Sequence, residues 1–172
     1  EGGAPTIVHL TSEYSPFART GGLAEAVMGL ANYQVKGGAN VVVFVPLYRT
    51  VRDHAPDLAP LGRPIQVELG FRSEEVRFFR EVQPPAGPKV VFVDIPSAFS
   101  RAGLYGEGGH DYADNARRFA LFSRAVLDGI NSALESRPMG FSVHPKLARQ
   151  FDARAALYAG GEVDWGLAEL LA

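Results

Sequence analysis

The chain has no cysteine among its 172 residues. Disulfides and thiolate metal sites are therefore excluded, and a reducing compartment is the expected setting. Cationic runs are missing too: the arginines occur singly or in pairs such as Arg117-Arg118, and the formal net charge is −2. That balance argues against nucleic acid as the main partner. No apolar run approaches the ~18 residues that a membrane span needs. The first residues, Glu1-Gly2-Gly3-Ala4-Pro5, carry no basic-then-apolar leader, which makes the cytoplasm the expected location. His9, His54, His110 and His144 form no ligand pair at helical spacing, so no metal site is expected, nor any cofactor. The chain has no internal repeat and no low-complexity segment.

What is present is a loop-rich globular composition, with 47% hydrophobic residues, 19 glycines and 12 prolines. The length fits one domain, or one domain with an appendage. A domain of this size buries roughly 70% of its unfolded surface, enough for a core without staples.

The chain is organised around Ile7 to Tyr33. Ile7-Val8-His9-Leu10 is a short apolar, β-branched run suited to a buried strand. Ser12 to Gly22 is a loop holding Pro16 and the pair Gly21-Gly22. From Leu23 the apolar residues Leu23, Val27, Leu30 and Ala31 follow helical spacing, with one face for a core. Such a strand, glycine loop and helix suit a phosphate-facing unit, since the helix start offers unpaired N–H groups and a positive dipole end. It is neither the dinucleotide glycine fingerprint nor a Walker loop, and a connection whose glycines serve packing alone fits the spacing equally well.

Further on, Lys36-Gly37-Gly38 reads as a helix stop. Val41 to Val45 is an unbroken apolar run, as in a parallel strand covered on both faces, and Pro46 ends it. Strand, helix and strand then make a right-handed βαβ unit. Asp53 to Pro64 reads as a polar surface connection. Ile65 to Leu69 and Glu75 to Val82 read as a hairpin or meander. Val90 to Asp94 is another buried strand, and Ser97 to Ala113 is a long glycine-rich loop of the kind that carries function. A helix from about Asn115 to Ala133 has the core stripe Phe119, Phe122, Val126 and Ile130, with Asp114 placed to cap it. Around Ser136 to Gly140 strand patterning stops, and helices are expected over 146–158 and 163–171. The expected architecture is α/β: a Rossmann-like, open, mostly parallel sheet with flanking helices over residues 1–135, and a helical tail over 136–172.

Four segments in order resemble the start of the catalytic region of bacterial glycogen and plant starch synthases. They are Ser12 to Leu30, Val41 to Val51, Val90 to Gly106 and Asp111 to Ala125. The resemblance implies the N-terminal half of a GT-B glycosyltransferase. Such enzymes have two facing Rossmann-like domains and transfer glucose, with retention, from ADP-glucose to an α-1,4-glucan. It also implies a nucleotide-sugar donor, an α-glucan acceptor and a second domain carrying the catalytic glutamate as partners. The tail, Gly140 to Ala172, is similar to a segment of the 2-oxoglutarate dehydrogenase first component that lacks cofactor-binding residues.

Carried over residue by residue, the resemblance makes Arg19 the counterpart of the family's phosphate-side lysine, beside Gly21 and Gly22. Arginine keeps the charge and adds a planar fork suited to phosphate; a solvated loop cation is the plainer role. Glu25, in the first helical turn, is expected to point aside and tie the loop. Asp114 takes the place of an aspartate lining the catalytic cleft, with Asn115, Phe99 and Tyr105 as candidate sugar contacts. Tyr48, Tyr105 and Tyr112 are the weaker candidates for sugar contact, and packing is the expected role of each. Asp164-Trp165 has the family's later dipeptide without its histidine, and no role is carried to it. Two other readings stay open: a non-catalytic carbohydrate- or nucleotide-binding module, and a fragment related to the thiamine-dependent dehydrogenase.

Overall fold

The structure, a computed structural model, describes residues 4–54, 57–135 and 170–171. Its elements in chain order are β1 (Thr6–Leu10), α1 (Leu23–Lys36), β2 (Asn40–Pro46), α2 (Arg49–His54), β3 (Leu58–Pro60), β4 (Ile65–Leu69), β5 (Arg72–Glu81), β6 (Lys89–Asp94), α3 (Pro96–Phe99), β7 (Gly106–Glu107), β8 (His110–Asp111) and α4 (Asn115–Glu135). The sheet order is β1-β2-β6-β5-β3, with β4 paired to β5. β1, β2 and β6 run parallel, in the registers Ile7 to Val41 and Val43 to Val90. β5 runs antiparallel to β6, β4 and β3, and extends the sheet beyond its parallel core.

Val41 to Val45 and Val91 to Val93 are buried, as expected of apolar runs enclosed on both faces. The hairpin expected over 65–82 is β4 and β5. The connection expected over 53–64 holds the end of α2 and the three-residue β3, whose residues pair with Glu81, Arg80 and Phe79 of β5. Nothing local marks Leu58-Ala59-Pro60 as a strand; the partner makes it one.

α1 stops where Lys36-Gly37-Gly38 predicts: Gly37 N–H donates to the Tyr33 carbonyl and Gly38 adopts φ +89°. Its core face differs in part from the expected one: Val27 and Ala31 meet the core, Leu23 and Leu30 do not. Ala24 and Ala31 are fully buried, while Leu23 and Leu30 are 47% and 49% exposed. Residues seven apart share a face, and the small pair one position on is the one turned to the sheet.

α4 buries Leu121, Phe122, Ala125 and Val126, and also Arg118. It lies close to β5 at Gly129, where an added Cβ would sit 2.5 Å from Cζ of the buried Phe78 ring. The expected tail helices and the boundary at 136 lie outside the described residues, save Leu170 and Leu171. The Leu170 carbonyl accepts from Asn40 Nδ2 and Lys89 Nζ, each at 3.2 Å, and the Leu171 carbonyl from Thr6 Oγ1 at 3.3 Å.

Candidate functional site

The loop after β1 is built on Glu13. Thr11 N–H continues the strand pairing onto the Phe44 carbonyl, and Tyr14 and Ala18 exchange both backbone hydrogen bonds around the cis Ser15–Pro16 peptide. Glu13 is only 3% exposed. Its carboxylate accepts from Thr20 N–H at 2.8 Å, Thr20 Oγ1–H at 2.7 Å, Tyr105 O–H at 2.8 Å and, more weakly, Gly21 N–H at 3.4 Å. Burial by itself would raise the Glu13 pKa; the donors from Thr20, Tyr105 and Gly21 outweigh it and hold the carboxyl below its usual range.

Glu13 thereby fixes the backbone that enters Gly21-Gly22. Both glycines are exposed, and a Cβ on either would meet nothing within 4 Å. Neither has positive φ; Gly22 stands at φ −76°, ψ −11° as the N-cap of α1. Packing and backbone conformation thus leave these positions open to any residue. What glycine adds there is close access to the backbone from outside. Arg19 is on the surface, with Nη1 3.1 Å from Glu25 Oε1. Glu25 therefore ties the loop, through an exposed pair of the kind that contributes little to stability and exchanges readily.

The segment expected as one long loop is partly ordered into α3 and the β7–β8 hairpin. Its turns are tight: a Cβ on Gly103 would lie 2.0 Å from the Gly106 carbonyl oxygen. The segment wraps around Arg118, which is fully buried. Arg118 donates through Nε to the Ala98 carbonyl at 2.6 Å, and through Nη1 to the Leu104 carbonyl at 2.9 Å and Asn115 Oδ1 at 2.7 Å. Its guanidinium carbon lies 4.9–5.4 Å from the centres of the Tyr112, Phe99 and Phe119 rings. Nη2 makes no hydrogen bond among the described residues, and burial lowers the Arg118 pKa.

Asn115 Nδ2 donates to the Tyr105 carbonyl at 2.8 Å, so the first turn of α4 sets Tyr105. The Asp114 carbonyl accepts from Arg118 N–H at the helix start. Its carboxylate does not serve as the expected cap; it is taken by Arg101 through two hydrogen bonds. Those bonds hold the Asp114 carboxyl below its usual range. An ionised, half-exposed carboxylate of this kind accepts hydroxyl hydrogen bonds and is unsuited to giving a proton near neutral pH.

Phe99 is fully buried, with Tyr48, Phe119 and Phe122 ring centres 5.4–6.3 Å away. Its ring has no surface to offer a sugar and acts as a wall behind the site. Tyr48 also packs, and its hydroxyl donates to the Ser12 carbonyl at 2.9 Å. Tyr105 faces a cleft of about 270 Å³ at the carboxyl end of β1, together with Leu10, Thr11, Ser12, Phe119 and Phe122. Apolar faces mixed with hydroxyls are what a sugar presents and what a sugar site needs. Burial, against the Ser12 hydrogen bond and with that to Glu13, pushes the Tyr105 phenol up to about 12.

The structure thus joins Gly21 to Tyr105 through Glu13, and Tyr105 to Asn115 directly, with Asp114 beside Asn115. The starch synthase catalytic domain profile matches residues 6–144. The chain belongs to that family. It is 38% identical to a glycogen synthase of Anaeromyxobacter dehalogenans (strain 2CP-1) over 133 residues, which cover 77% of this chain and 26% of the relative. It is 41% identical to a glycogen synthase of Koribacter versatilis over 125 residues, covering 72% and 25%. The catalytic domain of starch synthase IV from Arabidopsis thaliana, solved with ADP and acarbose, superposes with a TM-score of 0.63 at 29% identity, over 75% of this chain and 25% of that one. The chain spans about a quarter of the length of these relatives. A glycogen synthase of Anaeromyxobacter sp. (strain Fw109-5) matches 90% of this chain, a share that requires residues beyond 135.

For this starch synthase family member, sequence reading missed Glu13, Arg101 and Arg118. Arg118 left a signal: it lies three and four residues before Leu121 and Phe122, so it is a charge on the apolar stripe of α4. Glu13 left a fainter one, an acid three residues past the end of β1; that strand, expected to be buried, is at most half-buried along its length.

Among the described residues, no helix is long and apolar enough to cross a membrane, and no group of three or more His, Asp or Glu side chains is gathered for a metal.

Proposed function

We propose that this chain is the N-terminal half-site of a cytoplasmic glucan synthase. In this reading the glycine loop and Arg19 receive the diphosphate of ADP-glucose. Asp114, Asn115 and Tyr105 line the side where glucose and the α-1,4-glucan acceptor lie. A second domain closes over the cleft and supplies the catalytic carboxylate and the rest of the donor pocket. The observation that carries the reading is the open space above Gly21 and Gly22, which no fold requirement explains. α1 begins directly there, and its first-turn N–H groups lack helical acceptors. These amides and the Arg19 guanidinium would steady charge building on the leaving diphosphate as the glucosyl bond breaks. Asp114 would orient hydroxyls without exchanging protons. The 136–172 segment is read as a tail, although the family match runs on into it as far as residue 144.

Calorimetric titration of the chain with ADP, and separately with a maltooligosaccharide, tests this. Heat of ADP binding that is lost in Arg19→Ala supports the phosphate role; unchanged ADP affinity in that variant removes it. If neither ligand binds, the half-site reading fails.

A further inference from the structure

Tyr105 and Glu13 are 92 residues apart in the chain, and their side chains meet at 2.8 Å. The direction of the protons follows from the donor inventory. An ionised carboxylate only accepts, so Tyr105 must give its proton to Glu13. Ser12 Oγ, 2.8 Å from the same phenol oxygen, must then be the donor to Tyr105. Thr20 gives both its hydroxyl and its N–H to the same carboxylate. The hydroxyl protons of Tyr105 and Thr20 run to Glu13, and that of Ser12 reaches it only through Tyr105.

Tyr105 is held as firmly from behind. Its carbonyl accepts from Asn115 Nδ2 and from Tyr112 N–H, and the preceding Leu104 carbonyl is fixed by Arg118. The phenol is therefore a strut between the first turn of α4 and the carboxylate that sets Thr20 and Gly21. We propose that Tyr105 is the positioning residue of the glycine loop, acting through Glu13. The sugar side of the cleft then sets the conformation of the phosphate side. The functional consequence rests on the phosphate reading above; the positioning itself does not.

The test is residue-resolved amide hydrogen exchange on the ligand-free chain and on Tyr105→Phe, which keeps the ring against Phe119. Loss of one hydrogen bond to a charged acceptor predicts exchange at Thr20 and Gly21 faster by on the order of tenfold to a hundredfold. The amides of Val42 to Val45 should keep their protection. Glu13→Gln gives a second route to the same loss, since its amide nitrogen brings a donor to a site that needs only acceptors. Unchanged exchange at Thr20 and Gly21 in both variants overturns the proposal. So does faster exchange spread evenly over the sheet, which marks a merely structural residue. ADP titration of the same samples separates the two readings. Local loosening with weaker ADP binding supports both; local loosening in a chain that never bound ADP supports the positioning role and rejects the phosphate role.

Discussion

Arg101 grips Asp114 with a two-pronged contact, Nη1 to Oδ1 at 2.7 Å and Nη2 to Oδ2 at 2.6 Å. The same guanidinium lies 4.8 Å from the centre of the Tyr112 ring. The Asp114 pKa is depressed from 3.8 when folded. The pair therefore adds stability above that unfolded value, and the contribution disappears as pH falls through the lower folded one. Arg101→Ala should return the Asp114 carboxyl towards its ordinary pKa, read by carboxyl-resolved NMR titration. An unmoved midpoint would mean that Arg101 is not what holds it.

Gly22→Ala separates packing from access. Gly22 has helical backbone angles and nothing within 4 Å of a would-be Cβ. The alanine should leave the thermal midpoint nearly unchanged, since the stiffer unfolded chain favours it and the poorer N-cap residue disfavours it by similar amounts. On the phosphate reading proposed above, ADP affinity should drop at least about tenfold, because a methyl group would then stand where the diphosphate is proposed to approach. A stable variant with full affinity would show that the glycine is incidental.

Arg118→Met should cost about 3 kcal/mol or more in urea denaturation. The methionine relieves a buried charge and the unbonded Nη2, which favours the variant. Against that, the Ala98 and Leu104 carbonyls and Asn115 Oδ1 each lose a donor. Three orphaned acceptors outweigh one relieved nitrogen. A neutral result would show that the segment from 97 to 114 does not depend on this side chain.

Gly129→Ala should destabilise by about 1–2 kcal/mol. The gain in helix propensity is about 1 kcal/mol; the overlap with the Phe78 ring at 2.5 Å costs more, since a buried ring or the helix must shift to relieve it. Phe78→Leu in the same chain should recover part of the loss, and failure to do so would place the cause elsewhere.

Much of this was legible because the informative signals are local. Val41 to Val45 and Val90 to Asp94 are apolar runs that only an enclosed parallel strand accommodates, and the glycine stop of α1 is written in Lys36-Gly37-Gly38. β3 was not legible, because Leu58-Ala59-Pro60 becomes a strand only when β5 lies beside it. The buried face of α1 was half right: Val27 and Ala31 meet the core as expected, but Ala24 takes the place expected for Leu23 and Leu30, which stay half-exposed. Of the candidate site, Tyr105 and Asn115 are joined to the glycine loop. Phe99 is a core residue, since a phenylalanine that meets sugar and one that meets other rings look alike in sequence. Glu13 escaped notice because its importance lies in what reaches it from 92 residues away.

The contact at Gly129 also reaches beyond its own neighbourhood. A helix rises ~1.5 Å per residue, so Gly129 stands about 20 Å along α4 from Asn115. α4 rests on the Phe78 ring at one end and holds Asn115, Arg118 and, through them, Tyr105 at the other. A side chain at 129 would have to displace that ring or the helix itself. The absence of one methyl group thus lets the helix that carries Phe119 and Phe122 into the cleft lie flat on β5, about 20 Å from Asn115.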